Sequence, residues 1–176
     1  MQITLGWELD GNRSGPWRPS SGEIAVGPEG LLRILETRLG LSALWPTEPR
    51  RISRYRRCLE QADTGQSFFS RSFKVDPLGV AKHLLAWRDA LVEAGWQGDA
   101  SAEDPVRVHD MARIERLARR TESCVANGRG DRLQAVILAL ATRRADIAAI
   151  RVVESPELWP AGVLVQRDIG VFDKFC

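Results

Sequence analysis

Arg50, Arg51, Arg54, Arg56 and Arg57 crowd one short stretch of the chain. A helix that carries them can track a nucleic-acid backbone, because each phosphate it neutralises releases counterions and makes affinity fall steeply with salt. Arg50, Arg51, Arg54 and Arg57 are therefore the candidate nucleic-acid contacts. The competing expectation is a solvated helix face whose arginines pair with Glu48 and Glu60. Just downstream, Phe68, Phe69 and Phe73 are interleaved with Arg71 and Lys74. Such a mixture could stack bases, although aromatic side chains of this kind more often plug a core.

Other chemistries find less support. Gly27-Pro28-Glu29-Gly30 sits between an expected strand and an expected helix, where phosphate-binding loops sit. A working loop of that kind needs a Lys for the terminal phosphates and a Ser or Thr hydroxyl for magnesium. Neither follows Gly30, and Glu29 would repel a phosphate. The turn is expected to be structural, with no cofactor. His83 and His109 lie far apart without an HxxxH or HExxH companion, and no GxSxG elbow occurs. No Asp-x-Lys or Glu-x-Lys pair could complete a magnesium-dependent nuclease site. No catalytic and no metal-ligating residues are expected. Cys58, Cys124 and Cys176 are odd in number and lack CxxC spacing, so neither a zinc site nor a disulfide framework is indicated. Free thiols fit a reducing cytoplasm.

The elements that must position these residues can be traced along the chain. Ile3, Leu5, Trp7 and Leu9 alternate as in a strand over Gln2 to Leu9, and Glu23 to Val26 is a second short strand. Gly11 to Gly22 between them is rich in turn formers. Leu31, Leu35 and Leu39 recur at helical spacing up to Gly40. A helix over Glu48 to Ala62 places Ile52, Tyr55 and Leu59 on one face. Thr64 to Val75 has no helical phasing. Asp76 and Pro77 open a helix that Gly95 can close, with Ala81, Leu84, Leu85, Trp87, Leu91 and Val92 as its apolar face. Further helices are expected over Val108 to Arg120 and Asp131 to Thr142, separated by a break at Gly128-Arg129-Gly130. A β-branched strand runs from Ile147 to Val153, and a turn follows at Ser155 to Pro160. The last sixteen residues carry weak signals, and no internal repeat occurs. This order predicts an α/β fold with helices packed on a mainly parallel sheet.

Composition agrees with an ordinary globular chain. The 176 residues are 44% hydrophobic and 27% charged, which suits one compact domain, 1–176, with a core of its own. The net charge of +2 identifies no polyanion partner. Arginine outnumbers lysine 22 to 3 (Lys74, Lys82 and Lys174). A GC-rich genome would produce that bias, and so would a need for planar, bidentate groups. No apolar run is long enough to cross a bilayer, and the opening MQITLGWELDG lacks the features of a signal peptide. A cytoplasmic chain without a membrane partner is expected.

Three segments resemble a known family: VGPEGLLRILETRLGL (Val26 to Leu41), SFKVDPLGVAKHLLAWRDALVEAGW (Ser72 to Trp96) and RLQAVILALATRRADIAAIRVVESPELWP (Arg132 to Pro160). They are similar to the N-terminal part of large bacterial PD-(D/E)XK nuclease family proteins, themselves similar to the AddB subunit of the AddAB helicase–nuclease. The resemblance implies a degenerate P-loop helicase-type domain without ATP motifs. It implies the N-terminal fragment of a longer protein whose nuclease domain lies far downstream. The family's catalytic residues map to no position here. The implied role is a non-catalytic scaffold in DNA repair, in contact with DNA, a partner subunit or the downstream nuclease, and it leaves open whether the parent is an exodeoxyribonuclease. Two alternatives stand beside it. One is a free-standing small α/β enzyme built on Glu29, Asp76 and His83. The other is a protein-interaction module that docks through the Trp87 to Trp96 region.

Overall fold

Ile3, Thr4 and Leu5 are all buried, which is how a central strand of a parallel sheet differs from an edge strand with one wet face. In the computed structural model, which describes residues 1–7, 9–10, 22–41, 47–120 and 125–153, that strand is β1 (Gln2–Leu5). It is flanked by β2 (Glu23–Val26) and, further along the chain, by β3 (Ala149–Val152). The order is β2-β1-β3, and both pairings are parallel. Ile3 lies opposite Ile24 on one side and Ile150 on the other. The parallel sheet of the sequence reading is present. Its first strand ends at Leu5 and not at Leu9, because the chain turns at Trp7, which is exposed.

Six helices complete the described residues: α1 (Pro28–Arg38), α2 (Glu48–Ala62), α3 (Ser70–Val75), α4 (Pro77–Glu93), α5 (Val106–Ala118) and α6 (Arg129–Leu140). The fold is α/β. None of these helices is long and apolar enough to cross a membrane. The expected loop at Gly11 to Gly22, except Gly22 itself, lies outside the described residues. So do the turn at Ser155 to Pro160, the terminal segment, and Cys124 and Cys176.

The chain divides into two compact units, Met1–Ala43 with Arg132–Cys176, and Leu44–Asp131. In the first, the leucines at helical spacing do what their phase dictates. Leu35 of α1 and Leu39 at its C-cap are buried with Leu32, Val136 of α6 and Ala145, whereas the expected Leu31 is only partly buried and packs against them with Leu133 and Leu140. Arg132 reinforces this apolar contact. It donates to the buried Glu36 carboxylate from Nε and Nη2, at 2.9 and 3.0 Å, and to Glu29 from Nη1 at 2.8 Å.

The second unit is helical. α2 packs on α4 and α5, and α3 packs on α4. Tyr55, Leu59, Leu84, Leu85, Met111 and Ile114 lie at the centre of its core. Asp76 caps α4 as expected, accepting the Gly79 N–H at 2.9 Å. Four features differ from the sequence expectation. Ser70–Val75 is a short helix, which buries Phe73. α5 starts at Val106, directly after Pro105, and α6 starts at Arg129 inside the expected break. Trp87, placed on the apolar face of α4, is 41% exposed, and Arg88 takes the interior position.

Candidate nucleic-acid interface

α2 begins with Glu48 and Pro49, an acidic residue and a proline suited to the first turn, and its phase separates the arginines. Tyr55, Cys58, Leu59 and Ala62 turn inward. Arg50, Arg54 and Arg57 fall on the opposite, wetter side at i, i+4 and i+7. Arg50 and Arg57 are exposed and have no carboxylate partner among the described residues. Arg54 is half-buried and has an interaction of its own within the protein. The expected pairing with Glu60 is real but belongs to Arg56, at 2.5 Å.

Arg51 has a different fate from its three neighbours. Its Nη1 and Nη2 donate in parallel to Asp89 of α4, each at 2.8 Å, and its Nε donates to the Ala126 carbonyl at 3.0 Å. A Cβ at position 128 would come within 2.5 Å of Asp89 Oδ1 and 2.8 Å of Arg51 Nη2, so a larger residue there would have to push this fork aside. Arg51 thus ties α2 to α4 and to the 126–128 segment. Its guanidinium is already saturated by a carboxylate, and a phosphate would have to displace it.

That fork is one end of a larger ionic cluster. Arg88 is buried and donates to both oxygens of Glu115 on α5, at 2.9 and 2.8 Å. It donates to both oxygens of Asp131 as well, from Nη2 at 2.7 Å and from Nη1. Its Nη1 also approaches Asp89 Oδ1 at 3.2 Å, and Arg119 donates to Glu115 at 2.8 Å. Burial opposes the charged forms of Glu115 and Asp131, but the Arg88 hydrogen bonds and charge outweigh it and hold both carboxyls below their ordinary range. Tyr55 sits beside this cluster with its hydroxyl buried and unpartnered among the described residues. Burial and the Glu115 charge raise its pKa far beyond the phenol range, so it stays neutral. The sequence carried one signal for the cluster, a charged residue at position 88 in phase with Leu84, Leu85 and Val92.

The Gly27 to Gly30 turn is also occupied from within. The Asp10 carboxylate accepts the N–H of Glu29 at 2.5 Å and the N–H of Gly30 at 2.7 Å. It sits at the N-terminus of α1, where free amides and the helix dipole favour an anion. A side chain on Gly27 would collide with the Asp10 carboxylate and backbone nitrogen, which explains the glycine. Asp10 is separated from the helix by 19 residues of sequence, so nothing local betrayed its role. Asp10→Ala should lower stability by about 1 kcal/mol, the usual worth of a capping carboxylate, which urea denaturation would measure. Equal stability of variant and wild type would show that the cap contributes nothing.

The three residues of the enzyme alternative have structural employment. Glu29 accepts from Arg132 and Arg33, Asp76 caps α4, and the His83 ring lies 4.9 Å from that of Trp87. Among the described residues no group of three or more His, Cys, Asp or Glu side chains could hold a metal ion. Of the three phenylalanines, Phe69 and Phe73 are core residues, 2% and 7% exposed. Phe68 is only half-buried and faces the Trp87 ring. Searches against protein-family models, curated proteins and solved structures found no match to this chain.

Proposed function

We propose that the chain is a non-catalytic scaffold domain, the N-terminal part of a DNA-repair helicase–nuclease-like protein, and that it contacts DNA through the outer face of α2. The observation that carries this reading is the pair Arg50 and Arg57. They lie two helical turns apart on one exposed face, with no carboxylate partner among the described residues. Two such guanidinium groups suit phosphates along a strand. Arg54 between them adds positive charge, whereas Arg51 belongs to the scaffold that fixes α2.

A motor-derived origin has its own support. A strand, a glycine turn and a helix N-terminus are arranged as in a phosphate-binding loop, but Asp10 holds the amides a phosphate would need. The similarity of Val26 to Leu41 and Ser72 to Trp96 to AddB-like proteins points the same way, and a motor subunit is then a natural partner.

The test is a salt titration of the full chain with single- and double-stranded DNA. Two or three phosphate contacts should give a slope of log K against log salt of about −2. Arg50→Ala and Arg57→Ala should each weaken binding and reduce the magnitude of the slope by about 1. No binding, or an affinity unmoved by salt, overturns the proposal.

A further inference from the structure

We propose that Phe68, His83 and Trp87, with Arg107 beside them, form a stacking platform for the bases of single-stranded nucleic acid. This rests on the DNA-contact reading and names the form of nucleic acid that the Leu44–Asp131 unit prefers.

The rings are arranged for such a task. The Phe68 and Trp87 planes are near-parallel, 9° apart with centroids at 6.5 Å, and the His83 ring adjoins Trp87 at 4.9 Å. The Arg107 guanidinium lies 6.0 Å from the Phe68 centroid, within cation–π range. Aromatic side chains normally leave water, and Phe69 and Phe73 do so, whereas Trp87 stays 41% exposed.

Phe68 is also held in place. Its backbone N–H donates to the buried Asp110 carboxylate at 2.9 Å. Arg113 donates from Nη2 to Asp110 at 2.8 Å and to the Ser67 hydroxyl at 2.7 Å. The ring is therefore positioned by α5 before any ligand arrives, which lowers the ordering cost of binding.

The charge of these elements selects the occupant. Lys82, next to His83, and Arg107 are exposed and lack carboxylate partners among the described residues. Arg71 on α3 is exposed as well, whereas Lys74 lies near the Asp63 carboxylate and helps to lower its pKa. Asp76 and Asp104 on the neighbouring segments accept from the backbone amides of Gly79 and Ser101, and Asp110 accepts from Phe68 and Arg113. Arg107 beside the Phe68 ring and the exposed Trp87 complement a phosphate chain with unstacked bases. A duplex keeps its base faces covered, so the platform discriminates against it.

The experiment compares binding of the full chain to a fluorescent oligodeoxythymidine of about 12 nucleotides, within the span of single-strand sites, and to an abasic chain with the same number of phosphates. The base-bearing strand should bind at least about tenfold more tightly. Trp87→Ala should remove most of that preference, and Trp87→Phe should keep most of it. Arg50→Ala should weaken both ligands alike. Trp87 is exposed, so its replacement leaves the core intact, which an unchanged melting curve would verify. Equal, salt-dependent binding of both strands sinks the platform while leaving the DNA-contact reading standing. A base preference that survives in Trp87→Ala overturns it equally, and failure to bind either strand overturns both proposals.

Discussion

Arg88→Met should destabilise the protein by about 3–5 kcal/mol, the cost of leaving buried carboxylates without their cation. For a chain of this size that is a fall in melting temperature of roughly 10 °C. Methionine fills much of the arginine volume, so the loss would not come from a cavity. It would come from Glu115, which is 1% exposed and among the described residues is otherwise bonded to Arg119, and from Asp131, which among them would keep the Gly128 N–H at 2.7 Å. Arg88→Lys should recover little, because one ammonium cannot replace two parallel forks. Arg56→Met breaks the exposed Arg56–Glu60 pair on α2 and should cost less than about 1 kcal/mol. Urea denaturation of the three variants tests the ordering. A wild-type midpoint for Arg88→Met would mean that the surrounding apolar core alone fixes α4 against α5.

Arg88 also shows where reading by sequence succeeds and where it stops. The α4 limits were legible from Asp76, Pro77 and Gly95, since capping is a local matter of free amides and fixed φ. The first strand, apart from its end, and the helices α1 and α2 were legible from periodicity, and the third strand from its β-branched residues. Residue type alone places Trp87 in the core, yet the phase Leu84, Leu85, Arg88, Val92 sends the arginine inward. Residue type outweighed phase, and phase was right. α3 was missed because six residues are too few to establish a period. The division into two units could not be seen, because it depends on residues after Arg132 returning to the strands and helix near the N-terminus. Of the four arginines chosen for the interface, Arg51 could not be separated from its neighbours without Asp89, which is 38 residues away. The same distance effect hid Asp10.

The cluster around Arg88 also sets how the protein answers to acid. Glu115 is buried and Asp131 half-buried, which by itself would favour their neutral forms, but the Arg88 hydrogen bonds and charge leave both pKa values lowered. A carboxyl whose folded value lies below its unfolded value, about 4, binds its proton more readily in the unfolded chain. Its contribution to stability is complete above about pH 5 and is lost as pH falls through the lowered folded value, with a slope of at most about 1.4 kcal/mol per pH unit for each group. Wild-type stability should therefore fall between about pH 5 and pH 3. Glu115→Gln should be less stable at pH 7 but fall less steeply with acid, because one titrating group has gone. Asp63 and Asp104 are also lowered, Asp63 chiefly by the Ser70 hydroxyl and Asp104 chiefly by the Ser101 amide. Both are present in wild type and variant, so their effect cancels in the difference. Urea midpoints across that pH range measure it. Identical acid slopes for wild type and Glu115→Gln would show that the Arg88–Glu115 fork gives the folded carboxyl no advantage over the unfolded one, and that the apolar contacts of Met111 and Ile114 hold α5 without it.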